Sequence, residues 1–106
     1  MSFLAVDAQK SLLTLQRNQL QFEQTLVMSE ANWVAKCMGE MESSKDGNDQ
    51  TDTAEYKALE IEDEYLESRQ DALDSQIQLI DNEISSLKTM VNNNIKNSCS
   101  LNLIGG

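Results

Sequence analysis

Six apolar residues stand seven apart along the first part of the chain: Val6, Leu13, Leu20, Val27, Val34 and Met41. Seven residues nearly complete two helical turns, so such a line stays on one face and marks helices that wind about each other. Ala31 and Met38 supply the alternating position of this seam, while Arg17 and Gln24 leave it polar. A second line with the same spacing follows at Leu59, Leu66, Leu73, Ile80 and Leu87. Its alternating position is filled by Ile77, Ile84 and Val91. Upstream that position holds Tyr56, Asp63 and Gln70, which predicts a weaker seam there. The 106 residues include no proline, so nothing breaks either helix.

The boundaries are read from capping chemistry. Ser2 can cap a helix that starts at Phe3 and runs to about Met41. Residues 42–53 contain no apolar side chain and hold the turn pair Asp46-Gly47. Gly47 can end the first helix, with Gly39 as an earlier stop. Asp52 followed by Glu55 resembles a capping box for a second helix from about Ala54 to Asn97. The tail, residues 98–106, carries Leu101, Leu103 and Ile104. It is expected to fold back, fray, or dock on a neighbouring chain. The predicted fold is all-α, one helical-hairpin domain over 1–106. Its two long antiparallel helices would each span about 60 Å. Leu13, Leu20, Val27, Leu73, Ile80 and Leu87 are the expected contacts between them.

Each helix bears a further apolar stripe. On the first it is Leu12, Leu15, Phe22, Leu26 and Trp33, centred about 140° around from the seam at 100° per residue. On the second it is weaker: Ile61, Tyr65, Ala72, Leu79 and Met90. A two-helix hairpin buries one stripe from each helix and leaves the others in water. Those residues are therefore the predicted partner interface, covered by further copies in a bundle or by another helical protein.

Charge narrows the partners. The net charge is −10, and 15 of the 18 acidic residues lie between Glu40 and Glu83. Eight dispersed basic residues offer no stripe for phosphates, which argues against nucleic acid and anionic membrane surfaces. A basic partner is allowed. No apolar run approaches the roughly 18 residues of a membrane span. The start, Met-Ser-Phe-Leu-Ala-Val-Asp, lacks the basic region of a signal peptide. A cytoplasmic protein, or one exported without a signal peptide, is expected. With a turn centred near Asn48, Cys37 lies beside Leu59 and Cys99 about 60 Å away, too far for an internal disulfide. Two free thiols are expected, with a bridge between chains as the alternative.

Catalytic and metal chemistry find little footing. Without histidine the commonest general base and metal ligand are missing. A calcium-loop match from Asp46 fails at Thr51 and Lys57, where glycine and glutamate are needed. Glu60, Asp63, Glu64 and Glu67 share a helix face, but di-metal bundles pair such carboxylates with histidine. None of the four glycines, Gly39, Gly47, Gly105 and Gly106, sits in a phosphate-binding loop. Trp33 fits the stripe better than a cofactor stack, and Met28, Met38 and Met41 fit an adaptable interface. The reading is a non-enzyme with no catalytic residue, metal, cofactor or small-molecule substrate.

The layout resembles small bacterial helical hairpins that are secreted or that build secretion appendages. Trp33-Val34-Ala35 is similar to the Trp-x-Gly of one secreted family, with alanine for glycine. Tyr56-Lys-Ala-Leu-Glu60 fits that family's Tyr-x-x-x-Asp/Glu signal, here at the start of the second helix. The stretch Leu73–Asn97 looks similar to the needle, filament and export-apparatus coiled coils of type III secretion. These resemblances imply a self-associating coiled-coil protein, a structural component or substrate of a secretion apparatus. The alternative is a cytoplasmic adaptor or chaperone that lends its stripe to a different protein.

Overall fold

The computed structural model describes residues 3–43 and 50–105, with side chains over 4–43 and 50–97. Two helices account for nearly all of it: α1, Phe3–Glu42, and α2, Ala54–Gly105. They pack against each other as a hairpin, and no strand occurs among the described residues. The all-α hairpin read from the two apolar lines is the observed fold.

The ends of the helices follow local hydrogen bonding. At the start of α2 the Tyr56 amide donates to Thr53 Oγ1 at 3.1 Å, and the Lys57 amide donates to the Thr53 carbonyl at 3.1 Å. Thr53 is thus the N-cap, its hydroxyl satisfying one of the free amides of the first turn. The expected capping box on Asp52 falls one residue early. Thr53 is itself steadied by its amide and hydroxyl, which both donate to the Gln50 carbonyl. At the other end α1 passes through Gly39 without stopping. The Ser43 amide and hydroxyl both donate to the Gly39 carbonyl, closing the last turn. The Ser2 cap and the Asp46-Gly47 turn lie outside the described residues. The helical backbone of α2 continues to Gly105, past the expected end near Asn97. Residues 98–105 therefore extend the helix rather than forming a separate tail.

The chain divides into two compact units. Unit 1 comprises residues 1–20 and 76–106; unit 2 comprises residues 21–75. In unit 1 the buried side chains are Val6, Ile84 and Leu87, flanked by half-buried Leu13, Leu20, Ile77, Ile80 and Val91. In unit 2 they are Val27, Val34, Tyr56, Leu66 and Leu73, with half-buried Ala31, Met38, Met41 and Leu59. Every residue of the two heptad lines is buried or half-buried. Val6, Val34 and Leu73 are at most 1% exposed. Of the three residues expected to weaken the seam near the connection, Asp63 and Gln70 are half-buried polar groups, but Tyr56 is not a weak point. It is a core residue whose ring is buried while its hydroxyl donates to the Glu42 carboxylate, so the polar tip keeps a partner.

Polar seam positions are used for pairing. In unit 1 Arg17 binds Asp81 through Nε and, at 3.4 Å, through Nη2. In unit 2 the Gln24 amide donates to Asp74, and Arg69 Nε donates to Glu23 at 3.1 Å, with Nη2 on the same oxygen. The unit 2 pairs Tyr56–Glu42 and Gln24–Asp74 are both symmetric about position 49, one residue from the expected centre at Asn48. Flanking polar pairs of this kind fix which layer meets which, a job the apolar line alone leaves open because one heptad looks much like the next.

Candidate interaction surface

The nine predicted interface residues all stay in water. On α1, Leu12, Leu15, Phe22, Leu26 and Trp33 are 55–66% exposed; on α2, Ile61, Tyr65, Leu79 and Met90 are 43–69% exposed. The cause is the helical period. These positions fall on the side of each helix turned away from its seam. Each stripe occupies the outer face of its own helix. Leu12, Leu15, Leu79 and Met90 belong to unit 1, and Phe22, Leu26, Trp33, Ile61 and Tyr65 to unit 2.

Three exposed apolar residues were not in the predicted set: Leu4 at 79%, and Met28 and Ile95 near half. Leu4 had a readable signal. It lies eleven residues before Leu15, which lies eleven before Leu26, and eleven residues make three turns with only about 20° of drift. Trp33 is partly shielded by its own helix, with Lys36 Nζ 5.8 Å from the ring centroid, a cation–π contact one turn on.

The electrostatic setting of the two units differs sharply. Unit 1 holds four basic residues, Lys10, Arg17, Lys88 and Lys96, against three acidic ones, Asp7, Asp81 and Glu83, a net +1. Unit 2 holds fifteen acidic against four basic residues, a net −11. Both arginines of the sequence are engaged in cross-helix pairs and neutralise only their partners. The hydrogen bond to Glu23 makes Arg69 hold its proton more firmly than usual, with the carboxylate's charge adding to it. One heptad from that pair, the equivalent positions carry Glu62 and Glu30. Their carboxyl groups share a hydrogen bond, which first, with burial and like charge behind it, raises the Glu62 pKa. There, beside the seam, acid faces acid.

No pocket opens among the described residues. Among them too, no group of three or more Cys, Asp or Glu side chains is arranged to hold a metal ion. Glu60, Glu64 and Glu67 are exposed and Asp63 is half-buried, so the acidic run of α2 is largely a solvated face. Cys37 is a free, half-buried thiol; the Cys99 side chain lies outside the described residues. No described helix is long and apolar enough to cross a membrane. The chemistry this surface offers is therefore apolar contact edged by charge. Set beside family models, curated proteins and solved structures, the chain matches none of them.

Proposed function

We propose that the chain is a non-enzymatic coiled-coil assembly protein, which associates with further copies through its outward apolar stripes. The setting we propose is a bacterial secretion apparatus, of which it would be a structural component or a substrate. The observation that carries the association reading is the exposure of large apolar side chains in series along both helices, Leu4, Leu15 and Leu26 among them. A hairpin of two helices has a thin core and no layer to cover these faces. At about 25 cal/mol per Å² of apolar surface removed from water, their burial would drive helix association. The secretion setting is supported by the hairpin architecture and by the likeness of the Leu73–Asn97 stretch to such coiled coils.

Sedimentation of the full chain over a range of concentrations tests the association. The wild type is expected to exceed monomer mass. A variant carrying Leu15→Ser, Phe22→Ser, Leu26→Ser and Trp33→Ser should lose mass while its circular dichroism stays helical. A wild type that remains monomeric throughout rejects self-association. A variant of unchanged mass rejects the α1 stripe as the contact.

The charge of unit 2 favours a second reading, an adaptor for a basic protein. Trp33, Ile61 and Tyr65 stand exposed within the net −11 unit, a combination suited to an amphipathic basic helix. Stable co-purification with a basic partner from the native host, weakened by salt, would favour it over self-association.

A further inference from the structure

Within unit 2 the two helices turn different outer faces to water. On α2, Ile61 and Tyr65 stand one turn apart, 69% and 65% exposed. Beside them run Glu60, Glu64, Glu67 and Asp71, all exposed. At 100° per residue this acidic line is centred about 110° around the helix from the apolar pair. Steps of four, three and four residues carry its carboxylates over about 16 Å of helix. Among the described residues none of the four is in an ion pair. Like charges at these spacings repel along a helix. The outer face of α1 differs. From Gln21 to Ser29 its only charged residue is Glu23, half-buried and paired with Arg69. Further on, Trp33 already carries a cation of its own, Lys36.

We infer that the outer face of α2 in unit 2, from Glu60 to Asp71, docks a basic amphipathic helix. The inference rests on the adaptor reading and says which face the partner takes. Such a helix lays its apolar line on Ile61 and Tyr65 and its lysines or arginines along the four carboxylates. Cations at steps of four, three and four residues fall on one side of a helix of the same rise, so the two charge lines can match. Charge complementarity decides the occupant. A second copy offers no such match. This face repels its own like, and among the described residues the cations of unit 1 outside ion pairs are Lys88 and Lys96, eight residues apart. The outer face of α1, without exposed carboxylates from Gln21 to Ser29, gives a basic partner nothing to pair with.

The probe is a fluorescent synthetic peptide of leucine and lysine, about 18 residues or five helical turns long, with its lysines at that spacing beside a leucine face. Anisotropy is followed as the full chain is added at physiological ionic strength. The wild type is expected to bind, more weakly as salt is added. Ile61→Ser with Tyr65→Ser leaves the charge unchanged and should raise Kd about tenfold or more. Glu60→Gln, Glu64→Gln, Glu67→Gln and Asp71→Asn together should raise it about tenfold and flatten the salt dependence. Phe22→Ser with Leu26→Ser strips comparable apolar surface from α1 and should leave Kd within about twofold. Circular dichroism of each variant should stay helical, since every substituted side chain is exposed. A loss from the α1 pair as large as that from the α2 pair would overturn this inference and leave the adaptor reading standing. So would binding that neither the α2 pair nor the neutralised line weakens. If Ile61→Ser with Tyr65→Ser lowers the sedimenting mass of the chain alone and spares peptide binding, the face belongs to a second copy and the inference fails. A wild type that does not bind the peptide would sink the adaptor reading itself.

Discussion

The division into seam and stripe makes one substitution pair especially informative: Leu73→Ala and Leu79→Ala. The two leucines lie six residues apart on α2, yet Leu73 is 0% exposed and Leu79 is 62% exposed. Truncating either removes three carbons. For Leu73 the transfer loss is about 2.4 kcal/mol, at about 0.8 per methylene. A cavity term adds to that, though a seam between only two helices can partly close over the gap. About 3 kcal/mol is therefore expected, within the range known for buried leucines. For Leu79 only some two-fifths of the transfer loss applies, about 0.9 kcal/mol, no cavity forms, and alanine's better helix propensity offsets about 0.2. Thermal and urea unfolding followed by circular dichroism, at a concentration where the chain is monomeric, measures both. At roughly 4 °C per kcal/mol, Leu73→Ala should lower the midpoint by about 12 °C, and Leu79→Ala by about 3 °C. Equal losses would mean that α2 does not present the face assigned to it, and the stripe argument would go with it.

Other outcomes follow from single contacts. Thr53→Ala should cost about 1 kcal/mol in unfolding free energy as the Tyr56 amide loses its acceptor, whereas Asp52→Ala should change little. Because the Glu62 pKa is raised in the folded chain, the fold binds that proton more tightly than the unfolded chain does. Stability should therefore fall as pH rises from the ordinary glutamate range through the raised Glu62 value. Glu62→Gln should raise the melting midpoint at pH 7 and flatten this dependence; an unaltered pH profile would show that Glu30 does not couple to it. A Cβ added at Gly39 meets nothing within 4 Å, so Gly39→Ala should stabilise α1 by about 0.5–1 kcal/mol in the same unfolding assay.

Much of this fold was legible because its dominant signal is periodic. The seven-residue lines named the seam, and Val6, Val34, Leu66 and Leu73 lie buried where the lines place them. The same arithmetic placed Phe22, Trp33 and Ile61 on outward faces. What escaped depends on single residues rather than on period. Thr53 and Asp52 are both good caps one position apart, and sequence alone does not choose between them. Tyr56 reads as an interruption of the seam until its hydroxyl is seen to reach Glu42, which lets the ring enter the core. The Arg17–Asp81 and Arg69–Glu23 pairs depend on the alignment of the two helices, which a list of charges does not contain. The continuation of α2 to Gly105 runs against the weak helix propensity of Asn92, Asn93, Asn94 and Asn97.

Among the described residues each unit keeps its own buried side chains, Val6, Ile84 and Leu87 in one and Val27, Val34, Tyr56, Leu66 and Leu73 in the other. A protein organised this way need not melt in a single step. Its amide protons can exchange by separate openings, one in each unit. Damage to one side chain would then loosen its own stretch of the zipper and leave the remaining teeth engaged.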